Sequence, residues 1–255
     1  MQAEQILGVD VGASGIKGAI VDINTGELVS ERLRFPTPDP STPDQVAKVF
    51  AELAGQLNWT GAIGCGFPSI IKNGVACTAA NIDKSWIGTD AAALLSEATG
   101  DDVFVINDAD AAGLAEMRFG EGIGKMGTVL MITIGSGLGT GLFVDGKIVP
   151  NTEFGHLFLK GHHKIVELYA SNNAKEREEL SWEAWANRFN EYLHHLDRLL
   201  SPDLFILGGG TSKYFELYKQ YFTVSTAIVP ARLLNSAGMV GAAVYAWEKL
   251  KTLQN

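Results

Sequence analysis

Asp108 ends the apolar run VFVIND, where a carboxylate can leave the C-terminal edge of a sheet and take a proton from a hydroxyl. Asn107 beside it can fix a neighbouring hydroxyl. The same Asn-Asp pair also reads as the N-cap of a helix in ADAAGLAE, a reading that suits one of the two and extends to Asp110. Two glycine-rich stretches are built to hold an anion. DVGASGIKG carries Asp10, Gly12, Ser14, Gly15 and Lys17, and TIGSGLGTG carries Thr133, Gly135, Ser136, Gly137, Gly139 and Thr140. Glycines let backbone approach a ligand closely, and successive N–H groups in such a turn form an anion-binding concavity. A tight hairpin with no ligand is the alternative, and the duplication counts against it. Each loop leads into a strand, so neither is a dinucleotide fingerprint, and neither carries the GKS or GKT of a Walker loop. In EFGH, Glu153 and His156 can bridge vicinal hydroxyls, unless the tetrapeptide is only a surface loop. Asp10, at the end of the first strand, can brace its own turn. Gly208, Gly209 and Gly210 close the run LFILGGG, which otherwise reads as a strand end before a helix.

The elements that must position these groups alternate. QILGVDV and IKGAIVD read as strands, followed by LVSERLRF across an NTG turn. TPDQVAKVFAELAGQL reads as a helix with Thr42 as N-cap and Pro43 at its first position. AIGCGFP is a short buried strand, and WIGTDAAALLSEATG a helix closed by Gly100. VFVIND runs straight into an Ala-rich helix, and TVLMITIG with GTGLFVDGKIV then repeats the opening hairpin. Downstream, Trp182, Trp185, Phe189, Leu193, Leu196 and Leu200 keep helical spacing. TSKYFELYKQYF reads as a helix, and AGMVGAAVYAWEKLK as a small-residue helix suited to close packing. The aromatic run from Trp182 to Phe189 fits a core or a subunit interface better than a sugar platform. The expected division is a small N-terminal lobe over residues 1–108, with the closing helix 238–255 packed back on it, and a larger lobe over 109–237.

The chain has 255 residues, 46% hydrophobic and 19% charged, within the range of ordinary globular proteins. A net charge of −9 argues against general nucleic-acid binding and leaves a polyanion only a local basic patch. Two cysteines, Cys65 and Cys77, are too few for a disulfide framework, so a reducing cytoplasm is expected, with both thiols buried or half-buried. The N-terminal MQAEQILG has no signal-peptide pattern, and no apolar run approaches a membrane span.

The paired glycine hairpins, followed in order by NDADAAGLAE, EFGH and LFILGGG, resemble the ROK family of bacterial sugar kinases and repressors, and the resemblance runs from about Ile6 to Trp247. YASNNAKEREELSWEAWANRFN further resembles the polyphosphate-using glucokinases of that family. The resemblance implies an α/β, two-lobed actin-like ATPase/sugar kinase (ribonuclease H-like) fold with a cleft between the lobes. It implies Asp108 as catalytic base and Asn107, Glu153 and His156 as sugar ligands, with Gly66, Ser69 and Asn81 where family members close over the sugar. Asp10 would meet the Mg²⁺ shell through water, and Gly208 to Gly210 would contact adenosine. In many members the matching His also binds a structural zinc with three cysteines of a CxCGxxGCxE-type run. The corresponding LFLKGHHKIVELYAS has no cysteine, so zinc is not expected, and His162 and His163 read as exposed loop histidines. Glu167 matches the glutamate that ends that run and by resemblance contacts the anomeric end of the sugar.

The leading expectation is a cytoplasmic, homodimeric glucokinase that uses inorganic polyphosphate, with ATP as a further candidate donor, and Mg²⁺. The alternatives are an ATP-dependent hexokinase for glucose or an N-acetylated amino sugar, and a non-catalytic sugar sensor. The sensor needs an N-terminal helix-turn-helix, whereas the first phosphate strand begins here at Ile6. A polyphosphate chain needs a basic track, for which Lys17, Lys125, Lys164, Lys175, Arg177, Arg188 and Lys213 are candidates.

Overall fold

The computed structural model describes residues 4–253. The opening strands β1 (Gln5–Gly12) and β2 (Gly15–Asp22) form the expected antiparallel hairpin, closed by the Gly12–Gly15 pair. The next strand, β3 (Leu33–Phe35), is shorter than LVSERLRF suggests. Its N-terminal part makes only an isolated bridge, Val21 to Leu28, because the Ser30 hydroxyl takes the Ile20 N–H that a ladder would use. Helix α1 (Pro43–Gln56) starts at Pro43 behind an extended Thr42, whose side chain makes no capping bond. Strand β4 (Ile63–Phe67) is wholly buried, and the short pair β5 (Ile71–Lys72) and β6 (Val75–Ala76) follows it. Helix α2 (Ala91–Thr99) begins later than WIGTDAA suggests, because Asp90 accepts from the Ala93 N–H and caps it there. Gly100 ends it in the left-handed conformation at φ 79°. Strand β7 (Val103–Asn107) passes directly into α3 (Asp108–Phe119).

The second half repeats the arrangement. Strands β8 (Thr128–Ile134) and β9 (Leu138–Val144) form the second glycine hairpin, flanked by β10 (Lys147–Val149). After α4 (Val166–Ala170), α5 (Asn172–Arg177) and α6 (Trp182–Leu200) come β11 (Leu204–Gly208), α7 (Phe215–Tyr218) and β12 (Ala227–Pro230). The strand orders are β3-β2-β1-β4-β7 and β10-β9-β8-β11-β12. Each sheet is therefore an antiparallel hairpin continued by two parallel strands, and the repeat legible in the glycine loops extends to whole sheets. Trp185, Phe189, Tyr192 and Leu196 on one face of α6 form the core under the second sheet, while Trp182 remains half-buried. TSKYFELYKQYF is not one helix but a 3₁₀ turn, the four residues of α7 and another turn. The Ser212 hydroxyl donates to the Gly209 carbonyl at 2.8 Å and the Tyr218 hydroxyl to the Thr211 carbonyl at 3.3 Å, local bonds that compete with a continuous helix.

The closing helix α8 (Ala237–Leu253) belongs with the first sheet. Its small-residue face comes within backbone contact of the strands. A Cβ on Gly64 of β4 would sit 1.8 Å from the Ala242 carbonyl oxygen, and one on Gly8 of β1 would sit 2.0 Å from that of Met239. Neither clash can be relieved by a rotamer. Gly64→Ala is expected to lower thermal stability by about 3 kcal/mol or more, the upper end for overpacked cores, read as a loss of at least about 6 °C in Tm. An unchanged Tm would mean that α8 is not held this close.

The contacts divide the chain into two compact units, one running to Ala115 and resuming at Ser236, the other covering Glu116–Asn235. The division falls inside α3 rather than at Asp108, and the second unit is not the larger. The reason lies in packing: Gly241 of α8 rests against the Ala111 carbonyl, which keeps the first turns of α3 with the first sheet. Cys65 is buried but Cys77 is exposed, contrary to the sequence expectation for the latter, because β6 ends at Ala76 and Cys77 falls in the segment beyond it. Among the described residues no helix is long and apolar enough to cross a membrane.

Candidate active site

The C-terminal ends of β1, β4 and β7 line up. Asp10 pairs with Gly66 and Phe67 with Asn107, so the first unit presents Asp10, Gly66 and Asn107–Asp108 along one sheet edge. Such an edge is where open α/β sheets bind ligands. Asn107 is buried and committed to structure: its Oδ1 accepts from the Ala109 and Asp110 N–H groups at 2.9 and 3.1 Å, and its Nδ2 donates to the Ser69 carbonyl at 3.1 Å. It is the N-cap of α3. Asp108, half-buried, accepts from the Ala109 N–H at 2.8 Å. The cap therefore falls to Asn107, and Asp108 opens the first helical turn. Ser69 is buried with its hydroxyl donated to the Thr78 carbonyl at 2.7 Å, so it braces the loop that carries Asn107's acceptor. Asn81 is exposed.

Asp10 lies opposite Lys17 in the hairpin, with Lys17 Nζ 3.4 Å from its Oδ2. Burial pushes the Asp10 carboxyl above its ordinary range, and Lys17 works against that rise. A Cβ on Gly238 would come 2.9 Å from the Asp10 carboxyl carbon, so the carboxylate sits at the first turn of α8, where N–H groups favour negative charge. The hairpin tip has a neighbour that the sequence reading missed: Arg34 of β3, whose Nη2 donates to the Ser14 carbonyl at 3.0 Å. Among the described residues no cluster of three or more His, Cys, Asp or Glu side chains could cage a metal. One carboxylate with small glycines beside it does fit Mg²⁺, which keeps most of its waters and takes its other ligands from substrate phosphates.

In the second unit, Gly135, Ser136 and Gly137 form the tip of the β8–β9 hairpin. The Gly135 N–H donates to the Gly137 carbonyl, and the Asn172 N–H, at the start of α5, donates to the Gly135 carbonyl at 3.1 Å. Thr133 pairs with Gly139 just below the tip. Thr140 does not offer its hydroxyl to a ligand: it is buried, donates to the Thr152 carbonyl at 2.6 Å and accepts from the Phe154 N–H. It thus fixes the entry to EFGH. Gly155 must be glycine, because a Cβ there would meet the Leu138 carbonyl oxygen at 2.1 Å.

The structure brings Glu153, His156 and Glu167 together. His156 Nδ1 lies 3.6 Å from Glu153 Oε2. Burial raises the Glu153 carboxyl above its ordinary range, His156 opposes the rise and the charge of Glu167 adds to it. Glu167 Oε2 accepts the Leu138 N–H at 2.9 Å and lies against Gly137, which ties the carboxylates to the hairpin tip. Beneath them is a second residue missed in the sequence, Tyr192 of α6. Its hydroxyl is fully buried and has no hydrogen-bond partner among the described residues, and burial, with Glu153 and Glu167 adding, raises its pKa far above the ordinary range. His162 is held by Glu191 at 2.9 Å and lies beside the Tyr169 ring, whereas His163 is exposed.

Gly208 pairs with Thr133, which sets the β11 end beside the second hairpin. Gly209 has φ 78° and presses on Ile134, so its identity follows from the turn itself, whereas Gly210 is exposed with open space around it. Several expected track cations are occupied within the fold. Arg177 and Arg188 share Glu178, each at 2.7 Å, and Lys175 lies 4.3 Å over the Trp182 ring.

Comparison with known proteins places the sequence and the fold among sugar kinases. The ROK family model matches residues 6–179. The chain is 44% identical over 238 residues to the polyphosphate glucokinase of Mycobacterium tuberculosis, covering 93% of this chain and 89% of that one. It is 42% identical to the Mycobacterium leprae polyphosphate glucokinase, over 93% and 73%. The crystal structure of an inorganic polyphosphate/ATP-glucomannokinase from Arthrobacter superposes with a TM-score of 0.91 at 47% identity, covering 96% of this chain and 99% of that one. A Streptomyces griseus ROK glucokinase solved with glucose and AMPPNP shares the fold, with a TM-score of 0.82 at 23% identity over 96% and 100% of the two chains. On these matches and on the paired glycine hairpins, the chain belongs to the ROK family.

Proposed function

We propose that this protein transfers a phosphoryl group from inorganic polyphosphate, with ATP as a second donor, to the 6-hydroxyl of glucose. The observation that carries the reading is Asp108. In a chain this similar to polyphosphate glucokinases, it stands in the first helical turn at a sheet edge, with the capping work done by Asn107. Asp108 accepts the proton of the 6-hydroxyl as that oxygen attacks the terminal phosphorus. The bond from phosphorus to the bridging oxygen breaks, and the shortened polyphosphate leaves with the electron pair. Glu153, His156 and Glu167 hold the other hydroxyls of the sugar. The N–H groups of the glycine hairpins and Lys17 hold donor phosphates, and Gly210 faces a nucleotide when ATP is used. Asp10 would hold a Mg²⁺ ion through its water shell, and the ion would supply neutralisation of charge on the phosphates.

A coupled glucose 6-phosphate assay with each donor supplied alone tests the reading. Both donors are expected to support turnover. A donor bound by charge alone is weakened by salt, so the KM for polyphosphate is expected to rise about tenfold between 50 and 200 mM salt, as for other polyanions held by a few contacts. The KM for ATP, which also binds through its base, is expected to rise less. Turnover with ATP but neither turnover nor competition by polyphosphate would replace this reading with an ATP-dependent hexokinase.

A further inference from the structure

Arg34 lies in β3 directly opposite Lys17 in β2, and Lys17 lies opposite Asp10 in β1. Residues paired across strands share a face, so the three charged side chains leave the sheet on the same side. Lys17 is matched by Asp10 at 3.4 Å. Arg34 is exposed, and among the described residues no carboxylate lies within ion-pair reach of it. Among the described residues its one side-chain hydrogen bond is the 3.0 Å contact from Nη2 to the Ser14 carbonyl, at the tip of the hairpin. The guanidinium also lies against Gly15, where a Cβ would meet its Nε at 2.8 Å and its Nη2 at 3.0 Å. A Cβ on Gly15 would push the guanidinium aside, so glycine there lets the cation rest on the hairpin tip. The arginines of the second unit contrast with it, since Arg177 and Arg188 are both matched by Glu178.

A guanidinium with unused N–H groups, fixed beside a turn that holds anions, suits two oxygens of one phosphate. We propose that Arg34 is a donor-binding residue: it takes a non-transferred phosphate of the phosphoryl donor at the tip of the first glycine hairpin. The proposal rests on the phosphotransferase reading above and names a residue for its donor side. Charge unmatched by any acid is what a polyphosphate chain needs, because the chain offers no base or sugar to grip. The same group serves the phosphates of ATP, at a smaller share of the total binding.

The test compares wild type, Arg34→Gln and Arg34→Lys in steady-state kinetics with polyphosphate of one defined chain length and with ATP, across a salt series. Arg34→Gln is expected to raise the KM for polyphosphate about tenfold, the scale of one charged hydrogen-bonded contact. Its log KM against log salt slope should fall by nearly one contact's worth. Arg34→Lys should keep the wild-type slope, because the charge remains, with an intermediate KM because the fork is lost. The KM for glucose at saturating donor should not move in either variant, which also reports that the fold is intact. An Arg34→Gln variant with wild-type donor KM and wild-type salt slope would overturn the proposal and leave Arg34 as a brace for Ser14. A wild-type protein inert toward polyphosphate would sink the polyphosphate reading instead, and the ATP series would then decide Arg34 by the same two readouts.

Discussion

Asp108→Asn is expected to lower kcat about 10³-fold, within the range measured for loss of a general base, while glucose still binds. The size of the effect separates two roles that the geometry allows for this side chain. As a residue of the first turn of α3, Asp108 accepts the Ala109 N–H and places negative charge at a helix N-terminus. Asparagine keeps an acceptor oxygen there and loses only the charge, which costs about 0.3–1 kcal/mol at a helix end. A thousandfold loss of rate corresponds to about 4 kcal/mol in the barrier. A role confined to the helix terminus therefore gives a Tm lower by a few degrees and nearly normal turnover. A role as base gives the opposite pattern. Isothermal titration with glucose and a coupled assay on the same preparation distinguish them, and near-normal kcat with full glucose binding would remove Asp108 from the chemistry.

The features legible in the sequence were those encoded by local spacing. The glycine hairpins, the strand running into α3 and the small-residue helix α8 each depend on a few consecutive residues, and the structure shows all three. The residues that escaped notice depend on register or on packing. Arg34 is unremarkable in RLRF until β3 is paired with β2, and only that pairing sets it beside Ser14. Tyr192 reads as one more aromatic position on the apolar face of α6, because nothing in its neighbours announces Glu153 and Glu167 above it. Thr140 was misassigned for the converse reason. Its place in a Gly/Thr loop suggested a ligand, but alternation along β9 turns it inward to Thr152. Asn107 was readable both as sugar ligand and as cap. Its hydrogen bonds commit both amide atoms to the cap and to the Ser69 carbonyl, and the proposed function gives it no sugar hydroxyl.

Glu153→Gln is expected to weaken glucose binding while making the protein more stable at neutral pH, and the opposed signs make it the most discriminating substitution in the second unit. The carboxylate is partly buried beside Glu167, and burial, the larger cause, together with Glu167 raises its pKa above the ordinary carboxylate range despite His156. A carboxyl whose folded pKa exceeds its unfolded value binds its proton more tightly in the native state. Its stabilising contribution is therefore full below the unfolded pKa and is lost as pH rises through the folded one. At neutral pH the ionised Glu153 is a cost to the fold, and in the proposed function the carboxylate is kept to accept hydrogen bonds from a sugar. Glutamine removes that cost and keeps the shape. The stability gain of the variant should thus be largest near pH 7 and vanish as pH falls below the ordinary carboxylate range, where wild type is neutral at this position too. Its KM for glucose should rise about 10- to 100-fold, the value of a hydrogen bond to a charged acceptor. In wild type, kcat/KM for glucose should begin to fall on the acid side at a higher pH than an unperturbed carboxylate would give, and in Glu153→Gln that fall should begin at lower pH, because Asp108 must still be ionised to act as base. Thermal melts across pH paired with kcat/KM profiles test both halves. A variant less stable than wild type at pH 7, with an unchanged acid limb, would mean that Glu153 is a structural partner of His156 and not a sugar ligand.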